Sequence, residues 1–484
     1  DEVERVHLHE RVGTALEGLY GAREQDVEFA STAPIAVQLA LHFQRAGIPE
    51  KAIHYLHQAG DKAVQLSAYP EARAHLTRAL ALLEALPDAA TPKERLYRAE
   101  QELALQLSLG VACWATYDTH PEAAQAFERA RELSQQMGQT SQLCTSLTSL
   151  AILRYVGAEY RNAHTLGQKA LKLAQKLRDP VLLVESHWGL GCILFALGDY
   201  AAAHVHLEQT IALYEPYDHQ ALVSLCLANP GPSAVAYDAC CLWCLGYPDQ
   251  AEQRSQEALD LGRQLDHPFS LADVLCFGGC LFNKMRRDAL ALRENATELM
   301  RLSEGMRFSS FWGTGTCYMG EALAKLGQVQ EGMELIREGL TSRLSIGARC
   351  YASGILGALA EAQMAAGNPE EGLTTLAEAL ALVEETDERY GESDLRRVRA
   401  SLLLLQGDQT AAEISLHKAI EVARRQQAKS WELRATTSLA GRWRKQGRVD
   451  EARQMLAEIY DWFSEGFDSA DLVEARTLLE ELSS

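Results

Sequence analysis

Small and large apolar residues recur along the chain in one fixed order. A small residue is followed four positions on by a larger apolar one, and seven positions on by another small residue. The first small positions are Ala52, Ala72, Ala123, Ala163, Ala203, Ala251, Ala289, Gly332, Gly372, Ala412 and Ala452. Their partners seven residues later include Ala59, Ala79, Ala130, Ala170, Ala258, Gly339, Ala379 and Ala419, with Leu56, Leu76, Phe127, Leu207, Ile336, Leu376, Leu416 and Leu456 between. Spacings of i, i+4 and i+7 fall on one face of an α-helix. Small side chains there let a second helix approach closely, and the larger one fills the space between.

Five residues before most of these positions stands a glycine: Gly47, Gly198, Gly246, Gly327, Gly367, Gly407 and Gly447. Glycine enters the left-handed backbone region without a Cβ penalty and commonly ends a helix. A further small residue twelve positions upstream (Ala40, Ala151, Gly191, Ala239, Gly320, Ala360, Ala400, Ala440) marks the helix before the turn. Each unit therefore reads as helix A, a tight turn, then helix B. This is the tetratricopeptide pattern, here with 40 residues between markers in five of ten intervals where about 34 is usual. The expected fold is all-α, a right-handed superhelical solenoid of about eleven such hairpins.

Departures from the period set the expected boundaries. Residues 1–30 read as an N-terminal helical junction and 31–86 as the first repeats. The prolines of 87–97 suggest a loop or hinge. The main solenoid is expected over 98–468, interrupted by an insertion at 215–232 whose Asn229-Pro230-Gly231-Pro232 should not be continuous helix. Residues 469–484 suit a polar capping helix. The helix after Gly47 should serve two units, since only 20 residues separate Ala52 from Ala72.

Composition agrees with many amphipathic helices: 47% hydrophobic residues, 23% charged, 13 prolines in 484 residues. No run of eighteen or so apolar residues exists, so no membrane partner is expected. The opening Asp-Glu-Val-Glu-Arg carries no signal peptide. It also lacks an initiator Met, as expected of a piece of something longer. A formal charge of −20 opposes a phosphate backbone over most of the surface, which argues against nucleic acid. The 11 cysteines are too few for a disulfide framework, and reduced thiols in a cytoplasmic protein are the simpler reading.

Catalytic motifs are missing from the sequence. Gly313-Thr314-Gly315-Thr316 lacks the lysine of a phosphate loop, and neither a His-Glu-x-x-His helix nor a Gly-x-Ser-x-Gly elbow occurs. Cys241 and Cys244 with Cys276 and Cys280 could be offered as a zinc site, but both pairs sit on helix A, where buried free thiols are the plainer reading. His54/His57 and His204/His206 lie on helix B and do not suggest a metal. No enzyme activity, metal or cofactor is expected.

The candidate chemistry lies on helix A, which lines the concave face in this repeat class. Inward positions fall about 18, 15, 11, 8 and 7 residues before the helix-B marker. They give Tyr155, Glu185, Trp188, Cys192, Phe195, Cys240, Trp243 and Phe282. Beyond these come Cys317, Glu321, Lys325, Glu361 and Met364, then Arg397, Arg434, Arg444 and Lys445. The groove should thus pass from aromatic through acidic to basic. Aromatics can anchor a peptide or small ligand and arginine can clamp a carboxylate. The competing reading packs the aromatics between helices. It makes the C-terminal basic residues (Arg396, Arg399, Arg424, Arg425, Lys429, Arg442, Arg448) a solvated face.

Four stretches carry a closer resemblance: Leu41–Gly47 running into Lys51–Ala63, Asp266–Ala272, Arg424–Arg434 and Trp462–Leu472. They resemble the C-terminal repeat region of bacterial signalling ATPases of the STAND class. In that family an effector, often a class III adenylate/guanylate cyclase or a winged-helix domain, precedes the ATPase module. The resemblance implies a sensor arm: a protein, peptide or small effector bound in the groove would act on the ATPase and effector domains of the same polypeptide. A freestanding peptide-binding adaptor is the alternative.

Overall fold

The computed structural model describes residues 2–20, 33–116, 120–214, 228–306 and 308–483. It is a tetratricopeptide-like array of paired helices, with no strand among the described residues. Two compact units make up the chain, one holding the described residues up to Leu150 and the other those from Ala151 onward, apart from masked linking residues. Each has its own packing.

The first unit contains α1 (Glu2–Leu19), α2 (Ala36–Arg45), α3 (Pro49–Gln65), α4 (Tyr69–Glu84), α5 (Pro92–Thr116) and α6 (His120–Met137). Helix α3 packs against both α2 and α4, so it serves two hairpins as the 20-residue interval requires. Of the junction expected over 1–30, residues 2–19 are helical and 21–30 lie outside the described residues. The loop expected over 87–97 is shorter than its prolines suggest. Pro92 opens α5, because a proline in the first turn of a helix loses no hydrogen bond. Thr91 caps that helix by accepting from the Glu94 N–H at 3.1 Å.

Helix α7 (Thr140–Val156) runs across the boundary. The second unit then adds α8 (Tyr160–Leu177), α9 (Pro180–Ala196), α10 (Tyr200–Leu213), α11 (Pro230–Leu245) and α12 (Pro248–Gln264). The next A helix is broken into α13 (Pro268–Val274), a π-helical turn over Leu275–Leu281 and α14 (Phe282–Met285). Hairpins continue through α15 (Ala289–Met306), α16 (Ser309–Lys325), α17 (Val329–Ser345), α18 (Ala352–Ala365) and α19 (Pro369–Thr386). They end with α20 (Glu392–Leu405), α21 (Gln409–Arg425), α22 (Lys429–Lys445), α23 (Val449–Tyr460) and the closing helix α24 (Ala470–Ser483). All seven turn glycines named above have positive φ, between 70° and 98°. Three of the hairpins that lack one place Ser67, Ala158 and Arg287 in the same left-handed region, where a Cβ carries a modest steric cost.

The insertion expected at 215–232 is corrected in part. Residues 215–227 lie outside the described residues, but Pro230, Gly231 and Pro232 form the first turn of α11. Asn229 caps that turn by accepting the Gly231 N–H at 3.1 Å. A proline-rich stretch that would break a helix interior is tolerated at its start. Among the described residues no helix is long and apolar enough to cross a membrane.

The second unit closes on itself along an inner seam. The last carbonyls of a helix have no partner within it, and here four A helices find one far along the chain. Val156 O accepts from the Arg349 and Cys350 N–H groups at 2.9 and 3.0 Å, and Ala196 O from those of Arg389 and Tyr390 at 2.9 and 3.0 Å. Trp243 O accepts from Ser430 Oγ, 187 residues away, and Met285 O from Arg434 Nη2. Tyrosines line the same seam: Tyr155 Oη meets Tyr237 Oη at 2.7 Å and Tyr351 Oη at 2.9 Å.

Candidate functional site

The seam decides the fate of the aromatic residues. Tyr155, Trp188, Phe195, Trp243 and Phe282 are all buried. Phe195 lies among the rings of Tyr200, Tyr237, Tyr351 and Tyr390. Trp188 donates its Nε1–H to Ser233 Oγ at 2.9 Å. Trp243 meets Trp431 edge to face, and the Arg286 guanidinium stands over Phe282. Glu185 is buried on α9. These positions do face inward, but the second unit winds tightly enough for facing residues to fill the space. They are core rather than an open aromatic groove.

The charged positions come together instead. A cavity of about 520 Å³ is walled by the A helices α16, α18, α20 and α22, the end of α14 and Glu474 of α24. Glu321, Lys325, Glu361, Arg397 and Arg434 all line it. The 40-residue period puts Glu321 and Glu361 at equivalent places, and likewise Gly354, Asp394 and Arg434. Gly354 and Gly357 belong to the wall because neighbours lie where their side chains would be. A Cβ on Gly357 would stand 2.4 Å from Leu395 Cδ2.

The charges alternate around the wall. Glu321 receives Lys284 at 2.9 Å and Lys325 at 2.7 Å. Arg397 bridges Glu361 at 2.9 Å and Asp394 at 2.6 Å. Arg434 approaches Asp394 at 4.0 Å and holds Asp471 through Nε and Nη2 at 2.9 and 2.6 Å. Arg287 then joins Asp471 and Glu474 at 3.2 and 2.6 Å. Burial alone would raise the Glu321 carboxyl, but the ammonium groups of Lys284 and Lys325 overcome it and hold the group below its ordinary value. Asp394 behaves alike: burial opposes ionisation, and Arg397 and Arg434 outweigh it. Both acids are therefore carboxylates at neutral pH.

Sequence reasoning missed Lys284, Arg287, Asp394, Asp471 and Glu474. Asp394 had a usable signal, since it lies one period before Arg434 with the opposite charge. Lys284 had none, because the π-helical turn before it shifts the helical register.

Elsewhere most of the basic residues are already matched. Arg396 pairs with Glu392 at 2.6 Å, and Arg424 and Lys429 with Glu432 at 2.6 and 2.9 Å. Arg442 and Arg448 share Glu413, and Arg444 meets Glu481. Apart from Arg399, the C-terminal basic cluster is an ion-paired face. Among the described residues the cysteines form no ligand set; ten are free and buried. Among the described residues the one group of three that could hold a metal is His204, Glu208 and Asp238. Arg254 already sits on it, 2.6 Å from Glu208 and 3.4 Å from Asp238.

One buried acid near the aromatic positions carries a pH signature. Burial pushes the Asp273 carboxyl up to about 7, with Ser233, the acceptor of Trp188, opposing. A carboxyl raised on folding contributes its full stability below the ordinary carboxylate range, and that contribution is lost as pH rises toward about 7. Asp273→Asn should therefore stabilise the chain more at about pH 8 than at about pH 5, by roughly 2 kcal/mol. Urea midpoints at the two pH values check this. Equal gains at both would show that the carboxyl does not titrate there.

No family model matches the chain. An uncharacterised protein of Rhizobium meliloti (strain 1021) is 24% identical over 413 residues, covering 83% of this chain. The chain spans 38% of that protein's length. Among solved structures, the Rap protein complexed with Competence and Sporulation Factor has a TM-score of 0.55 at 13% identity, over 77% of this chain and 98% of that one. The Cut9–Hcn1 hetero-tetramer of the APC/C has a TM-score of 0.50 at 11% identity, over 98% and 87%. At these identities the similarity is one of fold: a tetratricopeptide-like helical repeat.

Proposed function

We propose that this chain is a non-catalytic binding arm of a larger signalling protein. A peptide, protein segment or small effector would occupy the charged cavity and regulate an attached ATPase of the STAND class and its effector, such as a nucleotide cyclase. The observation that carries the reading is the cavity. Five of the inward positions legible in the sequence converge there, on rigid helices, with charge on every wall. The resemblance of the four sequence stretches supports the attached ATPase, and a relative of which this chain spans 38% is consistent with a longer polypeptide. Regulation requires only that the occupant bind two conformations unequally, and a repeat array adds up small changes from unit to unit.

The test is made in the longer polypeptide, by reading nucleotide hydrolysis with and without a cell extract fraction that stimulates it. Lys325→Ala/Glu361→Ala should reduce the stimulation at least tenfold and leave unstimulated hydrolysis unchanged. Full stimulation of the double variant would remove the cavity from the pathway. A reading frame with no phosphate loop upstream of Asp1 would favour the freestanding adaptor.

A further inference from the structure

The wall of the cavity restricts the charge of what it can hold, an inference that rests on the binding role proposed above. Five bases and four acids line it. Asp471, held by Arg434 and Arg287 outside the lining, supplies the fifth acid, and each is engaged with a neighbour of opposite sign. An occupant with net charge would have to draw one partner out of a pair and leave the other partly buried and uncompensated, which is costly. An apolar occupant would cover charged groups without replacing their water. An occupant that carries one charge of each sign can complete both kinds of wall group at once.

The unengaged atoms have that arrangement. Arg397 engages Asp394 through Nε and Glu361 through Nη2, so Nη1 is left. Lys325 gives one hydrogen bond, to Glu321, and has two further protons. Arg397 bonds to a single oxygen of Asp394 and a single oxygen of Glu361, leaving the second oxygen of each carboxylate. Two donors and two acceptors thus border one space, and the donors belong to groups that remain charged at neutral pH. Between them the wall is small and apolar, formed by Ala358, Ala362 and Ala365. The volume of about 520 Å³ is within the range of small-ligand sites and excludes a folded partner.

We infer that the cavity takes a short zwitterionic peptide. Its terminal ammonium lies against Asp394 and Glu361, its carboxylate against Arg397 and Lys325, and its side chains against the alanines.

Differential scanning fluorimetry and calorimetry on the full chain test this with trialanine and trileucine. Each is used with both ends free, with the amine acetylated, and with the carboxylate amidated. A free tripeptide should raise Tm by about 3 °C at ~1 mM, and blocking either end should weaken binding at least tenfold. Glu361→Gln, at a half-buried position where the amide oxygen can still accept from Arg397 and Asp394 keeps that guanidinium paired, should weaken the free peptide while leaving the acetylated one unchanged. Equal binding of free and blocked peptides would overturn the inference, as would tighter binding of citrate or ATP. No binding of either free tripeptide up to about 10 mM would overturn it too. In each of those cases the signalling role stands or falls separately, on stimulated hydrolysis by the longer polypeptide.

Discussion

Arg434→Ala should unfold the second unit at a markedly lower urea concentration, with a loss of about 4 kcal/mol. Three kinds of contact end on this guanidinium. It holds Asp471 of α24 with two hydrogen bonds, donates to Met285 O, and stands 5.1 and 4.8 Å from the ring centroids of Trp243 and Trp431. Its removal leaves Asp471 with Arg287 alone and strips the donor from a helix-terminal carbonyl. The two indoles would then border a gap. A buried ion pair contributes little over a well-packed apolar pair, but removing one partner leaves the other under-compensated, here with Arg287 at 3.2 Å alone. Arg434→Met/Asp471→Leu should therefore recover most of the loss. Arg434→Lys should fall between, since an ammonium cannot reproduce the two-pronged contact. A loss under about 1 kcal/mol for the alanine variant would mean that the pair is solvated and that α24 is held by other contacts.

Gly332→Ala should cost about 2 kcal/mol although alanine is the better helix former by ~1 kcal/mol. Helices α16 and α17 approach through glycine. A Cβ on Gly332 would stand 2.5 Å from Gly320 O and 2.8 Å from Ala324 N. Those are backbone atoms, so the helices themselves must separate. Gly305→Ala on α15 is the control, since no atom lies within 4 Å of its Cβ position. It should stabilise by roughly 0.5–1 kcal/mol. Thermal or urea unfolding of the two variants should shift in opposite directions, and a common direction would refute the close-approach account.

The hairpins were legible in the sequence because one repeat encodes its own geometry. The small residues at i and i+7 are where neighbouring helices touch, and the turn glycines are where the backbone goes left-handed. Which face of helix A points inward was legible for the same reason, and Glu321, Lys325, Glu361, Arg397 and Arg434 converge on one cavity as a result. What lies opposite them was not. The rotation from one repeat to the next is set by details of packing that a periodic pattern does not carry, and that rotation decides whether an inner face is a groove or a core. Tyr155, Phe195 and Trp243 have the right phase for a groove and are buried because Tyr351, Tyr390 and Trp431 come round to meet them. Asn229-Pro230-Gly231-Pro232 was misread for another reason: the same prolines that end a helix can begin one.

The seam changes how the second unit must assemble. An array with contacts only between neighbours can nucleate anywhere and grow unit by unit, and its stability is nearly a sum over repeats. Here Tyr155 has a hydrogen-bond partner 196 residues away and Trp243 one 187 residues away. Those bonds can form only after the intervening hairpins are in place, and closing so long a stretch of chain carries an entropic cost that local contacts do not. Long-range pairing of this kind slows folding relative to a purely local helical array. It also makes the last repeats conditional on the first. The second unit should behave as one cooperative block, in which a lesion near Val156 is felt at Cys350 as directly as at the adjoining helix.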